Sequence, residues 1–231
     1  MEPSNKKTKG NKNNNGFRLQ IITGKTETQR KFFKEFRNHQ VISLTGFAGT
    51  GKTFIALGQA LASVERDDYK QVMIIRSAVA SRNIGFMPGN KKEKMSVYES
   101  PYVGICSKLY GRGDAYAILR QKNIIHFESS SFLRGETFDD VVIIIDEAQN
   151  LSWQELYTIL TRVGENCKVI LCGDTKQDDL TSERYKEQSG YDLMLKKLSM
   201  LPAEYHLAIN FNIDDIVRSG FVKELIKVTS L

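Results

Sequence analysis

From Phe17 onward, short apolar runs alternate with amphipathic stretches. Residues 41–45 (VISLT) make a strand-like run that ends at glycine. Residues 53–64 place Phe54, Ile55, Leu57, Ala60, Leu61 and Val64 at the spacing of one helix face. Further strand-like runs follow at 71–75 (QVMII), 124–127, 141–145 (VVIII), 168–172 (KVILC) and 205–209 (YHLAI). Residues 152–163 read as a helix opened by Ser152, with Glu155 three residues on in a capping-box pattern. Residues 221–228 predict a closing helix. Continuous apolar strands separated by helices predict an α/β, doubly wound, mostly parallel sheet covered on both faces. Only residues 77–123 resist the pattern. They hold Pro88, Pro101 and several glycines, and predict either an inserted helical segment or a functional loop.

Composition narrows the class. At 231 residues the chain suits one domain, here expected over 17–231. Hydrophobic residues make up 41% and charged residues 26%, as in ordinary globular proteins. The longest purely apolar run is five residues, at 141–145, against the roughly 20 that a bilayer span needs. The polar N-terminus shows no apolar signal region, so a cytoplasmic location away from membranes is expected. Cys106, Cys167 and Cys172 show no CxxC pairing, and reduced, buried thiols are expected. Residues 1–16 carry four lysines and one glutamate, half of the net charge of +6, with almost no apolar content. Such a tail is expected to be disordered, and it serves either as a nucleic-acid arm or as a solubilising leader.

Candidate chemistry begins at residues 46–53, GFAGTGKT, which match G-x4-G-K-[ST] between an apolar strand and an amphipathic helix. Gly46, Ala48, Gly49, Thr50 and Gly51 form the curl whose backbone N–H groups point at a phosphate. Lys52 brings charge to the β- and γ-phosphates, and the Thr53 hydroxyl is placed for Mg²⁺. The run 141–145 ends in Asp146 and Glu147, a carboxylate for the metal's water shell and a general base for an attacking water. Together the two motifs imply hydrolysis of a nucleoside triphosphate, expected to be ATP. Asp174 and Gln177 follow a strand, at the edge where α/β ligand sites collect. Gln177 is a candidate to sense the γ-phosphate or orient the water. Gln29, about a dozen residues before the strand at 41–45, offers an amide to an adenine edge. Arg76, Arg82, Lys91, Lys92 and Lys94, with Phe86 and Tyr98 nearby, supply charge and stacking surface for a single strand, or else a solvated loop.

In chain order, TETQ at 26–29, GFAGTGKT, the segment 74–94, SFLRGETF at 131–138, VVIIIDEAQN at 141–150 and LCGDTKQ at 171–177 resemble the PhoH-like ATPases. The resemblance covers about residues 20–222. It implies a single RecA-like P-loop domain related to superfamily-one helicases, with segment 77–94 and Arg134–Gly135 facing single-stranded nucleic acid. It matches Arg218 to an arginine that contacts the γ-phosphate. The pattern departs at Glu136, where a basic or polar residue is usual, and no segment matches the RNA-cleaving PIN domain of some relatives. One P-loop and one acidic strand make one such domain. A finger arginine then comes from the chain's own C-terminal region or from a neighbour, and a head-to-tail neighbour closes a ring. The resemblance points to a hexameric homo-oligomer. Three classes stay open: an ATPase acting on RNA or single-stranded DNA, a nucleotide-gated binding module, and a small-molecule phosphotransferase.

Overall fold

The computed structural model describes residues 17–77, 91–130, 137–174 and 190–229. Six strands form one sheet: β1 (Val41–Gly46), β2 (Gln71–Arg76), β3 (Ile125–Ser129), β4 (Val141–Asp146), β5 (Lys168–Gly173) and β6 (His206–Phe211). Their order is β3-β2-β4-β5-β1-β6, and every pairing is parallel. Strands β4 and β5 are buried along their whole length, as runs without polar alternation require.

Alternate residues of the four inner strands, β2, β4, β5 and β1, enter opposite cores. Ile42, Leu44, Val142 and Ile144 face one side, where α1 (Glu27–Glu35), α2 (Lys52–Glu65), α3 (Lys91–Tyr110) and α4 (Ala115–Gln121) pack. Val41, Ile143, Ile145 and Leu171 face the other, against α5 (Trp153–Leu160) and α6 (Tyr191–Leu198). Helix α7 (Gly220–Thr229) follows β6, as the pattern at 221–228 predicts. Among the described residues no helix is long and apolar enough to cross a membrane. All three cysteines are free and buried.

The irregular stretch 77–123 contains the two helices α3 and α4, so its helical alternative holds where residues are described. Its interior Pro101 and Gly104 obscured the period. Helices α1 and α6 have no counterpart in the sequence reading. Ahead of Arg218 the chain makes a single 3₁₀ turn, Ile213–Asp215, and the arginine lies beyond it. Ser152 caps α5 through the expected capping box with Glu155. The tail at 1–16 lies outside the described residues.

One charge is buried at the opposite end of the sheet. Lys168 opens β5 at 3% exposure. Its ammonium donates to the carbonyls of Phe36 and His39 beyond the C-terminus of α1 and sits 5.0 Å from the Phe36 ring centroid. A cation there suits the helix dipole. Burial nevertheless pushes the ammonium from 10.5 down to about 8. A group with a depressed basic value makes the unfolded chain bind more protons across that window. The cost of the buried charge is thus fully present below pH 8 and is relieved as pH rises toward 10.5. Urea unfolding of the wild type and Lys168→Met should show the wild type gaining stability relative to the variant between about pH 8 and 10. A constant difference across that range would contradict the assignment.

Candidate functional site: a phosphate loop facing an acidic strand end

Because all six strands run parallel, Gly46, Arg76, Asp146 and Gly173 end at one edge of the sheet. Strand β5 lies between β1 and β4, with Thr45 beside Gly173 and Ile145 beside Leu171. The loop after β1 turns back through Gly46, whose φ is +113° and whose added Cβ would lie 2.0 Å from the Phe211 carbonyl oxygen. Only glycine fits there. Thr50 is fully buried and braces the loop by donating from Oγ1 to the Phe47 carbonyl at 2.9 Å.

Helix α2 then begins with a lysine at its N-terminus, where the dipole disfavours a cation. That charge serves the loop. Lys52 Nζ donates to the carbonyls of Gly46 at 2.6 Å and Phe47 at 2.8 Å. Burial lowers its basicity, and the nearby carboxylates Asp174, Glu147 and Asp146 work in the other direction. One residue on, Thr53 Oγ1 donates to Asp146 Oδ1 at 2.7 Å, joining the first turn of α2 to the end of β4.

Glu147 leaves β4 in the left-handed region, at φ +50°. That backbone is costly for a non-glycine residue and turns the side chain back toward the sheet edge. Gln149, itself buried, holds the arrangement. Its Nε2 donates to Glu147 Oε2 at 2.7 Å, and its Oε1 accepts from the Asp174 backbone N–H at 3.1 Å. One amide therefore registers the ends of β4 and β5.

A third element closes the site. Thr28 on α1 donates to Asp215 at 3.0 Å, and the Val217 N–H donates to the Gly49 carbonyl at 3.1 Å. This seats Arg218 over the loop of its own chain: a Cβ added to Gly49 would lie 2.9 Å from Arg218 Cγ. Gln29 braces the loop from the same side, its Nε2 donating to the Thr50 carbonyl at 2.8 Å and its Oε1 accepting from the Lys25 N–H at 2.8 Å. Those bonds direct the amide into the loop, a duty distinct from the adenine contact expected of it.

Of the candidate site residues named from the sequence, Gln29, Ala48, Gly49, Gly51, Lys52, Thr53, Arg76, Asp146, Glu147, Asp174 and Arg218 line one cleft of about 820 Å³, so Arg76 faces this cleft rather than a separate surface. Gly46 and Thr50 support the loop from behind. Gln177, Arg82, Phe86, Arg134 and Gly135 lie outside the described residues. Lys91, Lys92 and Lys94 fall in the first turn of α3. The sequence reading missed Tyr102, which donates to Asp146 Oδ2 at 2.8 Å. Gln149 lies within the family motif VVIIIDEAQN, but its role emerges only from its contacts with Glu147 and Asp174.

A family profile described as "PhoH-like protein" matches residues 21–230. The chain belongs to the PhoH-like family. A "PhoH-like protein" of Bacillus subtilis (strain 168) is 31% identical over 207 residues, covering 89% of this chain and 63% of the relative. "Protein PhoH" of Escherichia coli (strain K12) is 33% identical over 161 residues, covering 69% of this chain and 46% of the relative. The PhoH-like chain thus spans less than two thirds of either relative. Among solved structures, the large terminase of a thermophilic bacteriophage aligns over 87% of this chain and 49% of its own, with a TM-score of 0.51 and 10% identity. That likeness concerns the fold, a parallel P-loop sheet of the kind expected for this PhoH-like chain.

Proposed function

We propose that this chain hydrolyses ATP with Mg²⁺ and couples hydrolysis to binding and remodelling of single-stranded nucleic acid, RNA more than DNA. The observation that carries hydrolysis is Glu147, a carboxylate fixed by Gln149 at the edge of the cleft that also holds Lys52 and Arg218. A passive binding site has no need of a strained acid beside its metal carboxylate.

Thr53 Oγ1 and Asp146 Oδ1 would hold Mg²⁺. They are two adjacent oxygen donors beside the phosphate loop, the hard ligand set this ion takes together with substrate phosphates. Bound there, the ion supplies positive charge to the phosphate oxygens. Lys52 exchanges its carbonyl acceptors for β- and γ-phosphate oxygens, and the loop N–H groups bind the same phosphates. Glu147 accepts the proton of the attacking water. Arg218 meets charge developing on the γ-phosphate. Asp174 lines the cleft, and Gln177, three positions later in the sequence, is a candidate to orient the water. The adenine contact of Gln29 is a second use of an amide already bonded to the loop.

For nucleic acid, support comes from Lys91, Lys92 and Lys94 in the first turn of α3 and from family membership. Homo-oligomerisation into a hexameric ring is part of the proposal by family resemblance. The placement of Arg218 over its own loop favours a finger in cis, so the ring has no need of one from a neighbour.

Phosphate release measured with and without single-stranded RNA tests the reading. Hydrolysis should depend on Mg²⁺ and rise with RNA. Glu147→Gln should bind ATP near normally while turnover falls at least ~100-fold. Full turnover in that variant would remove Glu147 as the base. A cis finger makes a further prediction: Arg218→Ala should lose ~10³-fold in hydrolysis, and mixing it with Lys52→Ala should restore nothing even when labelled subunits show exchange. Recovery on mixing would place the arginine in trans.

A further inference from the structure

Asp146 receives hydroxyl donors from two separate elements. Thr53 on α2 donates to Oδ1 at 2.7 Å, and Tyr102 on α3 donates to Oδ2 at 2.8 Å. The chemistry proposed above uses the first contact and has no role for the second. Tyr102 is fully buried and Asp146 only 5% exposed, so their contact is shielded from bulk water. A hydrogen bond to a charged group in such surroundings is among the stronger ones a side chain makes. The Tyr102 ring is held in turn by Phe127 of β3, with centroids 5.6 Å apart.

The helix that carries Tyr102 is weakened beside it. Pro101 lies inside α3 and has no N–H to donate to the Val97 carbonyl. Gly104 follows three residues later, and a Cβ added there meets nothing within 4 Å. Toward the C-terminus, Cys106 and Leu109 anchor α3 in the core. Toward the N-terminus stand Lys91, Lys92 and Lys94. The weakened turn of this continuous helix therefore falls between a basic end and an anchored end, beside the residue bonded to Asp146.

We propose that Tyr102 is a positioning residue that orients the Asp146 carboxylate for Mg²⁺, and that through it helix α3 transmits nucleic-acid binding to the nucleotide site. The second half rests on the reading given under Proposed function; the first does not.

Tyr102→Phe keeps the ring and removes the hydroxyl. Its readout is the affinity for a fluorescent ATP analogue titrated over Mg²⁺, which requires no turnover. The Mg²⁺ concentration that half-maximally tightens binding should rise ~10–100-fold, the usual effect of losing a partner behind a metal ligand. Affinity in EDTA should not change. An unchanged Mg²⁺ requirement in the folded variant would overturn the assignment and leave the hydroxyl a structural role only. Should the variant not fold, hydrogen exchange on the wild type decides. Mg²⁺ with nucleotide must slow exchange around residues 97–106 relative to nucleotide in EDTA, and equal rates would overturn the proposal.

For the coupling, single-stranded RNA should lower the wild-type Mg²⁺ requirement and leave that of Tyr102→Phe where it was. RNA that binds and stimulates hydrolysis without moving the wild-type requirement overturns the coupling alone. RNA that does not bind the wild type at all refutes the nucleic-acid reading, and with it the coupling, while the Mg²⁺ titration still judges Tyr102.

Discussion

The site depends on a contact made across an intervening strand. Strands β1 and β4 are not neighbours; β5 separates them, so their ends stand about 10 Å apart at ordinary strand spacing. The phosphate loop leaves one and the acidic pair leaves the other. The loop's curl starts α2 close enough to β4 for the Thr53 hydroxyl to reach Asp146 at 2.7 Å. Gly173, at the end of the intervening strand, contributes no side chain, and the Tyr191 ring fills the space where a Cβ would project. Length of loop, order of strands and glycine at that strand end are thus one requirement seen three ways.

Three charges in the cleft, those of Lys52, Asp146 and Glu147, have neutral hydrogen-bond partners. Lys52 rests on two backbone carbonyls, Asp146 on two hydroxyls and Glu147 on an amide. Each charged group is therefore oriented by contacts other than its opposite in charge. Polar groups fixed beforehand need little reorganisation when charge develops beside them, the condition under which electrostatic stabilisation is most effective. The same arrangement explains why Gln149 and Gln29, neither of them charged, occupy central buried places.

Much of this was legible in the sequence because it rests on local period and on motifs with fixed spacing. The buried strands at 141–145 and 168–172 announced a two-sided sheet, and GFAGTGKT carried its own strand-turn-helix context. What escaped depends on contacts between distant residues. Tyr102 meets Asp146 across 44 positions, and it sits next to a proline that masks the helix. Gln149 matters because β5 brings the Asp174 N–H to it, which no local pattern encodes. Spacing alone does not say which loop Arg218 lies against; the Val217–Gly49 hydrogen bond seats it over the loop of its own chain. Helix α1 was overlooked because its residues were read as an isolated four-residue motif, although Thr26 caps it by accepting from the Gln29 N–H.

The claim on which the rest stands is that Lys52, Thr53 and Asp146 form one site for a magnesium–nucleotide complex. Calorimetric titration of the wild type and of Thr53→Val with ATP, each in Mg²⁺ and in EDTA, tests it most directly. Valine preserves the shape of threonine and removes the hydroxyl. The account predicts that Mg²⁺ tightens ATP binding to the wild type, that this gain is lost in Thr53→Val, and that the two proteins bind alike in EDTA. A wild type indifferent to Mg²⁺, or a Thr53→Val protein that keeps the full gain, would contradict it.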